Sequence, residues 1–381
     1  MTFAFSLQIV PPVLPLVIKD FNLTHAEAGL IMSLFATPMI FLSIPAGFLA
    51  DRHGARKVGL VAFTLTIIGT LLVVLSTSYP LLLVGRALTG VGAFTLIMIA
   101  PQLISQWFTG RELGMAIGIF NTGMPMGSII SLFAMGSIGQ TFGWRVPPLI
   151  SGAIALLSMI IFAVLTKQAS PTVNATRAEA SGRIRIADVG LPIWLVGLAW
   201  LLFNAGTIPF MSFAPDYFRS VGYSVELAGL LAGSIMWGSL LVAPAVGVLL
   251  DRGLNNVLPI ACGGVFIAVA LVLVPSMPSQ AIPPLILLAI GNGLVPAAIF
   301  AFPPRLLDAR MMGLGYGILS SLLNVGIFTG PLVAGLARDQ SGSYTASFWV
   351  MAVLALLVSV SILPMLRLMK PRTGIESSPV T

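Results

Sequence analysis

The sequence predicts an all-α membrane protein of twelve helical spans in two six-helix halves, on three observations. Apolar residues make up 57% of the chain and charged residues 8%, which excludes a soluble fold. Basic residues concentrate in alternate loops, as they do when short loops on one side of a membrane retain Lys and Arg. The second half also repeats the first in the same direction. Asp20 aligns with Asp216, Ala28-Gly29-Leu30 with Ala228-Gly229-Leu230, and Asp51-Arg52 with Asp251-Arg252.

The first span is Met1 to Ile18, broken near its end by Pro11, Pro12 and Pro15. It is at the lower limit of the roughly 17 to 25 residues that cross hydrocarbon. Without a basic n-region or small-residue cleavage site it is not read as a signal peptide. Its alignment with the seventh span, which starts near Leu191, predicts a natural chain beginning several residues upstream. Thr24-His25-Ala26-Glu27 has capping-box spacing and opens the second span, which runs to about Ala50. The third to sixth spans are expected over Lys57–Ser76, Tyr79–Leu103, Leu113–Ile138 and Val146–Leu165. This gives a first bundle over 1–165. A polar stretch with Lys167, Arg177, Arg183 and Arg185 then reads as a linker over 166–189.

The second bundle covers 190–368, with spans over Gly190–Ala214, Glu226–Leu250, Asn256–Pro275, Ala281–Phe302, Met311–Ala337 and Ala346–Leu368, and a tail over 369–381. With both termini in the cytoplasm, only Lys19, Arg145, Arg219 and Arg338 among the cations discussed fall outside. Tyr79, Trp144, Tyr217, Tyr223 and Tyr344 then sit where an external aromatic belt belongs. The repeat also pairs Gly114-x-x-x-Gly118 with Gly313-x-x-x-Gly317, Gly127 with Gly326, and Gly90-x-Gly92 with Gly291-x-Gly293, all read as helix-packing positions.

The charge of +7 follows from this loop bias and is no nucleic-acid footprint. The single Cys262 allows no intrachain disulfide and reads as a packing residue. No metal-ligand cluster, phosphate-cradling loop or nucleophile elbow is present, so no cofactor and no enzyme activity is expected.

Gly47-Phe48-Leu49-Ala50-Asp51-Arg52-His53-Gly54-Ala55-Arg56-Lys57 resembles the loop between the second and third helices of the major facilitator superfamily. Arg86 ahead of Gly90-x-Gly92 is similar to that superfamily's helix 4 pattern. The resemblance covers nearly the whole chain. It implies a transporter in which two bundles rock around a central site, and a gate built from Gly47, Asp51, Arg52, Gly54, Arg56 and Lys57, with Asp251 and Arg252 as its weaker copy. Ala55 departs from the pattern where many members carry a cation, and the second copy lacks the trailing Arg-Lys pair. The resemblance also implies a monomer in a cytoplasmic membrane, bacterial or archaeal, with both termini inside.

Arg86 is the one charge well inside a predicted span, with Leu287 as its repeat partner. A charge there is costly, so it is a substrate-binding candidate, set against a structural donor to carbonyls and water. Gln8, Asn121, Asn204, Asn292 and Asn324, with the flat rings of Trp200 and Trp237, are candidates to line a central cavity, set against interhelical hydrogen bonding and packing. No acid or His lies mid-span, so any ion coupling is assigned to Glu27 and Glu226 at the span ends. The function expected is secondary transport of a small polar or anionic solute. The alternative is efflux of hydrophobic compounds, although Gly118, Gly123, Pro125 and Gly127 match the antiporter pattern of helix 5 poorly. A polytopic membrane enzyme and a sensor that binds without translocating are the rivals from other classes.

Overall fold

The computed structural model describes residues 1–108, 110–166, 189–307 and 311–368. The linker and tail cations therefore lie outside the described residues. Twelve helices among those described are long and apolar enough to cross a membrane. We number them in chain order. The first six are α1 (Thr2–Phe21), α2 (His25–His53), α3 (Ala55–Val74), α4 (Tyr79–Trp107), α5 (Gly110–Phe142) and α6 (Val146–Leu165). The second six are α7 (Gly190–Ser220), α8 (Val225–Leu250), α9 (Val257–Ser276), α10 (Ile282–Leu306), α11 (Met312–Ser341) and α12 (Tyr344–Leu368).

The turns follow from local chemistry. Asn22 ends α1 in the left-handed conformation at φ 51°, and Gly54 joins α2 to α3 at φ 86°. The capping box at α2 is complete: Thr24 Oγ1 accepts from Glu27 N at 3.1 Å, and Glu27 Oε2 accepts from Thr24 N at 2.8 Å. Four spans are interrupted, α10 after Phe300 and α12 after Ile362 only near their ends, α1 and α8 within their length. In α1, helix stops at Gln8, a short tight turn covers Pro11–Val13, and helix resumes at Leu14, because prolines supply no N–H to the turn before them. In α8 the break falls at Ser234, after Gly233, the Gly-Ser pair at which helices bend.

Helices α7 and α11 outrun their predicted ends by a turn, through Ser220 and Ser341. Hydropathy marks where hydrocarbon stops, while the backbone ladder continues through Asp216, Arg219, Arg338 and Asp339. The aromatic belt is corrected in part. Trp144, Tyr217 and Tyr344 are buried, and they pack between helices instead of facing lipid. Trp144 donates to Asp20 Oδ2 at 2.8 Å, and Tyr344 OH donates to Asp216.

Packing inside each half obeys the duplication. Gly92 leaves room for Ala62 and Thr66 on α3, and Gly291 leaves room for Gly263 and Ile267 on α9. Gly90 instead abuts Phe35 on α2, and Gly293 abuts Gly238 on α8.

Consecutive spans alternate in direction, so the turns at Asn22, 76–78, 143–145, 221–224 and 342–343 share one face of the molecule. The turns at Gly54 and 252–256 share the other.

Candidate functional site

The site is the seam between the two bundles. Ala28-Gly29-Leu30 and its copy Ala228-Gly229-Leu230 form its two close crossings. A Cβ on Gly29 would run into Pro331 O on α11, and one on Gly229 into Leu132 O on α5. Small residues let apolar helices reach backbone contact, which is how helices associate in lipid. The Ser33 hydroxyl adds a bond to Phe328 O across the first crossing, and Gly335 abuts His25 O nearer the Asn22 face.

Polar groups lock the Asn22 face. Asp339, at the end of α11, places its carboxylate on the first turn of α2: Oδ1 accepts from His25 N at 2.9 Å and Oδ2 from Ala26 N at 2.7 Å, while His25 Nδ1 lies 3.0 Å from Oδ1. A carboxylate on free N–H groups at a helix start is favoured by hydrogen bonding and by the helix dipole together. In the amide orientation that satisfies both groups, Gln140 on α5 accepts from Arg219 of α7 at 2.7 and 3.1 Å.

Towards the Gly54 face no comparable crossing is found among the described residues. Gly317 stands five turns before Gly335 on the same face of the continuous helix α11, yet a Cβ there would meet nothing within 4 Å among the described residues. Gly247 stands in the corresponding position relative to Gly229, across the bend in α8, and it also meets nothing. On α5, Leu132, Ser128 and Pro125 are buried along one stripe, and Asn121, the next turn on, is exposed. Among the described residues, the contacts between the bundles thus concentrate at the Asn22 face.

The predicted site residues divide by exposure. Asn121 is exposed on α5. Gln8 is buried at the α1–α7 contact, its Nε2 3.4 Å from Met211 Sδ. Asn204 donates to Trp200 O at 2.8 Å, Asn324 to Ser320 O at 2.9 Å, and Asn292 to Ile235 O and Ser239 Oγ at 3.0 and 2.9 Å. These three amides are thus engaged with backbone or neighbouring helices. Trp200 is buried, stacked on Phe203 with an edge contact to Phe300. Trp237 is 42% exposed, on a stripe with the exposed side chains of Leu230, Leu241 and Val248.

Arg86 is 1% exposed and spends its guanidinium on backbone. Nη1 donates to Ser6 O at 2.8 Å, Nε to Ile31 O at 3.3 Å and Nη2 to Leu7 O at 3.5 Å, and the Phe35 ring lies 4.6 Å away. The reason lies in α1. Pro11 and Pro12 carry no N–H, so the carbonyls of Leu7 and Gln8 lose their helical donors. Arg86 takes up Leu7 and its neighbour Ser6, and Ser131 Oγ on α5 donates to Gln8 O at 3.0 Å.

Of the predicted gate, the side chains of Gly47, Asp51, Arg52 and Asp251 lie outside the described residues. Arg56 Nη2 donates to Ala163 O at the end of α6 at 2.9 Å, and Lys57 and Arg252 are exposed. In the second half Arg305, at the end of α10, donates to Leu250 O and Asn256 Oδ1 at 3.1 and 2.6 Å. Glu27 serves the α2 cap, and Glu226 is exposed at the start of α8. The acid that meets the opposite bundle is Asp339, which the sequence reading left in a loop beyond Ala337.

The profile described as Major Facilitator Superfamily matches residues 1–323 and 197–380. The chain is 24% identical over 376 residues to the lysosomal dipeptide transporter MFSD1 of Homo sapiens, covering 91% of this chain and 79% of that one. It is 24% identical over 376 residues to the hexuronate transporter of Bacillus subtilis (strain 168), covering 93% and 89%. The crystal structure of a bacterial homologue of the human lysosomal transporter Spinster, inward-facing and occupied, superposes with TM-score 0.78 at 18% identity over 96% of this chain and 94% of that one. Twelve duplicated spans agree with these matches: the chain belongs to the Major Facilitator Superfamily, as a membrane transporter of small solutes and not an enzyme.

Proposed function

We propose that this protein carries a small polar or anionic solute by alternating access, and that the conformation described is the one open to the cytoplasm. One observation carries the reading: the bundles are latched by Asp339 and the Gly29 and Gly229 crossings at one face, while Gly317 and Gly247 towards the other make no such crossing among the described residues. The positive-inside bias puts the Gly54 face in the cytoplasm. A carrier must break that latch and close the opposite end in each cycle, and backbone-to-backbone crossings on whole helices suit rigid rocking.

For the solute, support comes from the exposed amide of Asn121 and from the small polar cargoes named for the relatives, a dipeptide and a hexuronate. The flat rings of Trp200 and Trp237 would suit hydrophobic efflux, but they pack against Phe203 and Phe300 or share a stripe of exposed apolar side chains. The test is counterflow in proteoliposomes, using labelled monocarboxylates, sugar acids, dipeptides, inorganic anions and lipophilic cations. Saturable exchange of one polar class is expected. Exchange of lipophilic cations alone would favour efflux, and binding without counterflow would make the protein a sensor.

A further inference from the structure

On the side of Arg86 away from the seam, a cavity of about 10 Å³ is lined by Ser6 and Ile9 of α1, Thr70 and Val73 of α3, Arg86 and Thr89 of α4, and Pro148 and Ser151 of α6. The lining residues are all buried. The hydroxyls of Ser6 and Ser151 are buried there without a hydrogen-bond partner among the described residues. A buried hydroxyl left unpaired costs about 1–3 kcal/mol, so two beside a guanidinium mark a place built for an occupant.

We propose that one ordered water occupies this cavity and bridges Arg86, Ser6 and Ser151, tying α6 to α1 and α4. Size admits a single water, which needs about 10–15 Å³ on this measure. The donor and acceptor inventory selects water over a small anion. Three of the five guanidinium N–H groups are committed to Ile31, Ser6 and Leu7 carbonyls, which leaves donors to spare. Thr70 and Thr89, however, already donate to Thr66 O and Gly85 O, so they meet an occupant only as acceptors. A mixed set suits water, which both donates and accepts, and penalises an anion.

Helix geometry gives the same answer. Thr2 Oγ1 bonds directly to Ser158 Oγ at 3.0 Å, joining antiparallel α1 and α6. From that contact, Ser6 lies one turn along α1, about 6 Å, and Ser151 about two turns along α6, about 10.5 Å. The second hydroxyl pair is therefore staggered along the seam where the first meets directly, and an intermediary fills the step.

Synchrotron hydroxyl-radical footprinting of the purified protein tests this, because radicals made from bound water label adjacent side chains. Ile9, Val73 and Pro148 should be modified at least about fivefold faster than Ile267 and Leu288 in the dry α9–α10 core. Ser151→Val, which fills the cavity, should bring them down to that background. Ser6→Ala removes one partner without added bulk and serves if Ser151→Val fails to fold; its labelling should fall too. Background labelling in the parent, or labelling unchanged in these variants, would overturn the proposal. So would a thermal midpoint that rises with chloride over gluconate and loses that dependence in Ser151→Ala, which would assign the cavity to an anion.

Discussion

A charged residue inside hydrocarbon invites a functional reading, and the partners of Arg86 decide what kind. Three backbone carbonyls and one ring surround it, two of the carbonyls at the α1 break that Pro11 and Pro12 create. Part of its work is to serve Leu7 O, whose helical donor Pro11 cannot supply, and the rest is to tie α1 and α2 to α4 through Ser6 O and Ile31 O. Arg86→Ala leaves those acceptors unpaired and opens a void, a loss of about 2–4 kcal/mol. It should lower the thermal midpoint in detergent by several degrees while leaving the rank order of stabilising solutes unchanged. Arg86→Lys should rescue little, because one ammonium on a flexible stem cannot reproduce a planar fork aimed at separate carbonyls. A parental midpoint combined with lost stabilisation by anions would instead make Arg86 a solute contact. The sequence made the charge and the prolines legible separately. That one answers the other needed the fold, because they sit on different helices and no local pattern links Arg86 to Leu7.

The helices themselves were readable, and for a plain reason. In lipid every backbone group must be satisfied within its own span, so length and hydropathy suffice to find each one. The Ala-Gly-Leu triplets that revealed the duplication turned out to be the crossings between bundles. What escaped was polar helix beyond the hydrocarbon: stopping the eleventh span at Ala337 hid Asp339, and the Gly233-Ser234 bend looked like ordinary span. The glycines of α11 offer the test at this scale. Gly335→Ala should force α2 and α11 apart at the Asn22 face, lowering the thermal midpoint and slowing maleimide labelling of Asn121→Cys in a Cys262→Ser background. Gly317→Ala faces open space here, so it should leave this state intact or gain up to about 1 kcal/mol from helix propensity. It should still slow counterflow if α2 and α11 must meet there in the opposite state. Equal effects of the two substitutions on labelling would mean that α11 does not pivot against α2.

For the molecule as a whole, the question is what holds one face shut. Among the described residues, the strongest polar contact between bundles is the Asp339 carboxylate on the two N–H groups that open α2, at 2.7 and 2.9 Å, with His25 Nδ1 beside it. When the bundles separate, the capping box at Thr24 and Glu27 still closes the start of α2. The contact is therefore free to act on the equilibrium between open faces. Asp339→Asn keeps the shape, removes the charge and gives up one acceptor, a loss of about 1–2 kcal/mol for a charge-assisted bond, which moves a two-state population roughly five- to thirtyfold. Spin labels at Thr77→Cys in the α3–α4 turn and Ser279→Cys in the α9–α10 turn, both exposed on the Asn22 face of opposite bundles, read that population directly. The variant should gain a longer-distance component and show slower labelling of Asn121→Cys, since opening one face closes the other. A distance distribution identical to the parent's would move the latch elsewhere, to the Gln140–Arg219 contact first.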